Sequence, residues 1–82
     1  MKNKKLLLKI INNPKNVKYV DFISLLAAFG FEIERSRGSH SIYKKEGLNE
    51  IINIQDVKGE VKPYQVKQFL SLIEKYNLDL GE

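Results

Sequence analysis

The chain holds a single histidine, His40, and it stands among hydroxyls and cations in the run Arg35-Ser36-Arg37-Gly38-Ser39-His40-Ser41-Ile42-Tyr43-Lys44-Lys45. These are the groups that RNA cleavage needs. An imidazole, whose ordinary pKa of about 6.5 lies near neutrality, can take the proton of a 2′-hydroxyl or give one to a leaving oxygen. Guanidinium and ammonium groups beside it can hold the phosphate and stabilise the added negative charge of the transition state.

Other constellations are missing from the sequence. With no cysteine and one histidine, a zinc site would have to be built largely from carboxylates, and no pair of them has the spacing of a metal motif. Ser36, Ser39 or Ser41 could formally join His40 in a triad, but no nucleophile-elbow glycine pattern surrounds them. Neither glycine-rich phosphate loop occurs, so no metal or small-molecule cofactor is expected.

On residue type alone His40 has two readings. A lone histidine at a strand start is more often a turn or sheet-edge residue than a catalyst. Alternation also puts His40 on the same face as Ile42, which fits partial burial. Arg35, Arg37, Lys44 and Lys45 read either as phosphate contacts or as a solvated hairpin. Tyr43 could stack on a base, although packing on the sheet is the favoured reading.

The elements that must position these residues can be read from periodicity. Leu6, Leu7, Ile10 and Ile11 give a short amphipathic helix over Lys4 to Asn12, stopped by Asn12-Asn13-Pro14, with its lysines toward water. From about Tyr19, the residues Phe22, Leu25, Leu26 and Phe29 recur at helical spacing, and Gly30 supplies the left-handed closing residue. Phe31-Glu32-Ile33-Glu34-Arg35 alternates like a strand with one buried and one wet face. A turn at Arg37-Gly38-Ser39, a strand over His40 to Lys45, a turn at Glu46 to Asn49 and a strand over Glu50 to Gln55 follow. Pro63 then opens a helix with the stripe Val66, Phe69, Leu70 and Ile73, which Asn77 ends. The order α-α-β-β-β-α predicts an α+β domain with helices on one face of a three-stranded antiparallel sheet. Phe22, Phe29 and Phe69 fall on helical stripes and belong to its core.

Length and composition set the frame. Eighty-two residues make one domain, 1–82, and 43% apolar with 29% charged residues suit a packed, soluble core. The net charge of +4 is compatible with a polyanionic partner. Its distribution is uneven, because the first eighteen residues hold six lysines (Lys2, Lys4, Lys5, Lys9, Lys15 and Lys18) and no acid. That first helix could attract RNA or an acidic partner, although solubility is its plainer role. Absence of cysteine fits a reducing compartment, and the short N-terminal apolar run, broken by Lys9, resembles neither a cleavable signal nor a membrane span. A cytoplasmic location is expected.

Phe22 to Phe31 leading into Gly38-Ser39-His40, followed by Gly59-Glu60-Val61-Lys62-Pro63-Tyr64-Gln65-Val66, resembles the HicA (YcfA-like) toxin family over nearly the whole chain. The resemblance implies a fold like that of double-stranded-RNA-binding domains. It also implies messenger-RNA interferase activity that blocks translation, and neutralisation by a HicB-type antitoxin. The family's catalytic histidine sits in a glycine-serine-histidine motif, which falls here on Gly38, Ser39 and His40. Many relatives carry a second histidine after the third strand, where this sequence has Asp56. His40 would then act in both steps, or with Lys58, a tyrosine hydroxyl or water. The expected site is thus His40 for proton transfer, with Gly38, Ser39, Arg35, Arg37, Lys44 and Lys58 on the RNA. The rival expectation is a non-catalytic double-stranded-RNA-binding-like module that kept the cationic surface and lost cleavage, and a purely structural interaction domain is a third.

Overall fold

The computed structural model describes residues 2–80, in the order α1 (Lys2–Asn12), β1 (Val17–Lys18), α2 (Tyr19–Ala28), β2 (Glu32–Arg37), β3 (His40–Lys44), β4 (Ile52–Gln55), β5 (Glu60–Val61) and α3 (Pro63–Tyr76). Strands β2, β3 and β4 form an antiparallel sheet in that order. The expected α+β architecture is therefore present.

The apolar stripes of α2 and α3 meet in one core. Phe69 of α3 takes Phe22, Phe29 and Phe31 edge-on, with ring centroids 5.4, 5.5 and 6.0 Å away. This is the geometry that aromatic quadrupoles favour. Ile52 and Ile54 of β4, with Val66 and Leu72 of α3, complete the layer between sheet and helices. From α1, Ile10 is buried in the same cluster while Lys4, Lys5 and Lys9 lie exposed. The charges of Lys4, Lys5 and Lys9 thus lie in solvent, as the amphipathic spacing requires.

Two helix ends explain how the chain turns into the sheet. Gly30 has φ +90°, and the N–H groups of Gly30 and Phe31 donate to the carbonyls of Ala27 and Leu26. This paired closure needs a left-handed residue, which glycine supplies without strain. Lys45 reaches back from the end of β3 to donate to the Phe29 carbonyl at 2.7 Å, so a cation completes the negative end of α2. At the other helix, Pro63 occupies the first turn of α3 and Asn77 ends it in the left-handed region.

Two features depart from the sequence reading. Val17 pairs with Val61 and Lys18 with Glu60, a two-residue ladder between β1 and β5 that binds the chain before α2 to the chain before α3. The alternation of residues 31–35 also does not mark a half-buried strand. Phe31 is buried, but every residue of β2 is exposed, and Ile33 keeps 54% of its surface open. The reason is position: β2 is an edge strand that reaches past the cover of the helices, and a bulge between Ile33 and Arg35 shifts its register there.

Candidate functional site

A two-residue turn, Gly38-Ser39, joins β2 to β3. Gly38 has φ +60° at the first turn position, as a type II′ hairpin requires. Arg37 and His40 close the turn as register partners, and β4 adds Gln55 opposite His40 and Asn53 opposite Ile42. Residues paired across antiparallel strands share a face. The side of the sheet away from the helices therefore carries two rows, Arg37-His40-Gln55 and Arg35-Ile42-Asn53.

Ser41 has the opposite parity. It is buried at 7% exposure, and its Oγ lies 3.2 Å from the Tyr19 hydroxyl oxygen on the helix side. Ser41 and His40 thus point to opposite faces, which removes that pairing from any triad. Tyr43 also packs on the helix side, and burial, with the neighbouring Tyr19, raises the pKa of its hydroxyl. It is not a stacking platform on the open face.

On the open face, Arg35, Ser36, Arg37, His40, Ile42 and Asn53 line a hollow of about 450 Å³. His40, Arg35, Arg37 and Asn53 are all exposed. Among the described residues, none forms a hydrogen bond or ion pair with the side chain of any of these four. The imidazole and both guanidinium groups are thus open to a ligand. The partial burial that a face shared with Ile42 left open for His40 does not occur, since that face is the uncovered one.

The remaining expected residues divide. Ser39 stands at the rim, where its Oγ accepts a 3.5 Å hydrogen bond from the Gln55 carboxamide. Its carbonyl accepts from the Asp56 N–H at 3.0 Å. Lys44 lies on the same face but further along β3, opposite Glu32, and lines a separate hollow with Glu32, Lys45 and Glu46. Lys58 sits in the turn between β4 and β5 with φ +53°, outside the lining of the His40 hollow. Asp56 belongs to that turn, where its carboxylate accepts the Gly59 N–H at 2.8 Å. The carboxylate is spent on holding its own loop. Among the described residues, no three His, Asp or Glu side chains stand together as a metal-binding set.

Three residues that sequence reasoning passed over matter here. Asn53 lines the hollow, and Gln55 bridges to Ser39. Behind them Gln65 of α3, only 3% exposed, donates from Nε2 to the Asn53 carbonyl at 3.0 Å and accepts from the Gln55 N–H at 3.4 Å. Its carboxamide serves the free edge of β4 much as another strand would, pinning the strand that faces His40. The alternation Ile52-Asn53-Ile54-Gln55 was a usable signal for the first two, and a glutamine inside an apolar helical stripe was one for the third.

The family model described as the HicA toxin of bacterial toxin-antitoxin matches residues 19–74, about two thirds of the chain. The chain belongs to the HicA toxin family. No curated protein and no solved structure matched it. The family match begins with α2 and ends within α3, so it spans the hairpin, the hollow and Gln65, and leaves α1 and β1 outside. Membership makes the chain a toxin of a toxin-antitoxin pair and implies an antitoxin as its partner. Among the described residues of this HicA toxin, no helix is long and apolar enough to cross a membrane.

Proposed function

We propose that this HicA toxin is a metal-independent endoribonuclease that cuts messenger RNA, with His40 as its proton-transfer residue. The observation that carries the reading is the exposed imidazole of His40, paired in register with Arg37 in a hollow that also holds Arg35. A phosphate seated against the two guanidinium groups would present its neighbouring 2′-hydroxyl to the imidazole. His40 takes that proton, and the freed oxygen attacks phosphorus while the bond to the 5′-oxygen breaks. The imidazolium, or a water, returns a proton to the leaving oxygen, giving a 2′,3′-cyclic phosphate and a 5′-hydroxyl. Arg35 and Arg37 offset the charge that builds on the phosphorus. Gly38 and Ser39 hold His40 at the head of β3, and the antitoxin would silence the site by covering the hollow.

One observation favours a second reading, an RNA-binding module without cleavage. By the family resemblance Asp56 falls where many relatives carry a second histidine, and in this structure its carboxylate accepts the Gly59 N–H. No second imidazole exists to share the acid and base roles. Induction of the wild type and of His40→Ala in parallel, with messenger RNA followed on gels, separates the two. Growth arrest with RNA degradation by the wild type only supports cleavage; equal arrest by both, with RNA intact, supports the binding module.

A further inference from the structure

The two rows on the open face have matching ends across the sheet. Each starts with an arginine on β2 and ends with a carboxamide on β4, Arg37 to Gln55 and Arg35 to Asn53. The rows are two residues apart along the strands, roughly 7 Å. That is close to the step between successive phosphates of a stretched single strand. A strand of RNA lying along β3 with its backbone over the arginines would therefore direct its bases toward β4.

The two carboxamides are not equivalent. Gln55 spends its carboxamide nitrogen on a 3.5 Å bond to Ser39, whereas the side chain of Asn53 is exposed and has no hydrogen bond from any described residue. Its backbone is fixed, because Gln65 holds the Asn53 carbonyl from the helix side. Asn53 thus presents a donor group and an acceptor from an anchored strand, next to Ile42, an apolar neighbour against which a base can rest. A carboxamide of this kind can pair with an adjacent acceptor and donor on the edge of a splayed-out base, a pair that adenine, cytosine and uracil place differently.

We infer that Asn53 is the specificity-determining residue of the site, reading the edge of a base in single-stranded RNA beside the phosphate held at His40. The inference rests on the proposed RNA-directed function. It differs from that function in its test, since base reading shows in binding whether or not the bond is cut.

The experiment measures the affinity of the His40→Ala protein for short labelled oligonucleotides of adenine, cytosine or uracil, with Asn53 intact or changed to Asp or Ala. Removing His40 prevents turnover from confusing the titration, and Asn53 is exposed, so neither change disturbs the core. The expected result is a preference for one of the three strands of about fivefold or more that disappears in both Asn53 variants. Cleavage sites mapped on a mixed-sequence RNA by the Asn53→Asp protein should lose the same preference. Equal affinity for the three strands, or a preference that survives both substitutions, overturns the inference. Base-selective binding without cleavage by the wild type leaves Asn53 as the reader and removes the catalytic role of His40. Absence of RNA binding by any form overturns both.

Discussion

Arg37 and His40 face one another across a two-residue turn, the tightest pairing an antiparallel hairpin offers. Their Cβ atoms are then about 5 Å apart, within reach of one phosphate. One turn thereby couples an anion-holding group to a proton-transferring group, and Arg35, two residues back on the same face, widens the cationic patch.

The phosphate contacts should be separable by salt dependence. Arg35→Ala and Arg37→Ala should each weaken RNA binding and lower the slope of log affinity against log salt by about 1. Lys44→Ala should change the slope less, because Lys44 lies opposite Glu32 in a different hollow. Equal losses from all three would indicate diffuse attraction in place of a defined site.

The carboxamide of Gln65 should matter more than any exposed polar group. Gln65→Leu removes both of its bonds and leaves the Asn53 carbonyl and the Gln55 N–H unpaired at the edge of β4. Urea denaturation should show a loss of about 1–3 kcal/mol. The Gln55 amide should also exchange faster with solvent, and unchanged exchange would mean that the strand is held by other contacts.

This linkage marks the limit of what the sequence discloses. Helices α2 and α3 were legible because Phe22, Leu25, Leu26 and Phe29, and then Val66, Phe69 and Ile73, repeat at helical spacing over several turns. The Gly38-Ser39-His40 hairpin was legible because turn residues and chemistry-bearing residues coincide there. The β1–β5 ladder was not, since two residues per strand show no period. The exposure of β2 was misread because alternation reports which residues share a face and not whether anything covers that face. Asn53 and Gln55 entered the site through register with β3, a non-local property, and Gln65 through a contact between a helix and a strand edge.

Lys58 offers a test of backbone strain. With φ +53° beside Gly59 at φ +83°, it occupies a position in the Val57 to Glu60 turn that favours Asn or Gly. Lys58→Asn should stabilise the protein by about 0.5–1 kcal/mol, read as a melting temperature several degrees higher. An unchanged RNA affinity in the same variant would show that Lys58 stands outside the binding surface, as its absence from the hollow suggests.

Acid should weaken one tie between the β3–β4 loop and α3. The Tyr76 hydroxyl bonded to Glu50, with Lys75 at 3.3 Å, holds the Glu50 carboxyl below its ordinary pKa. A carboxyl lowered on folding contributes stability above its unfolded pKa and loses it as pH falls through the folded value. Glu50→Gln should thus lower the melting temperature slightly at neutral pH, and the gap from wild type should close in the acid range. Because the pair is exposed the effect should be small. A gap that widens on acidification would contradict the assignment.

The most direct test of the account is cleavage of a purified messenger RNA by the purified wild-type chain and by His40→Ala, each with and without a chelator. The account predicts that the wild type cuts equally well in both conditions and leaves 5′-hydroxyl ends, while His40→Ala, folded as judged by its melting curve, cuts nothing. Cleavage that persists in His40→Ala, or that the chelator abolishes in the wild type, would contradict it.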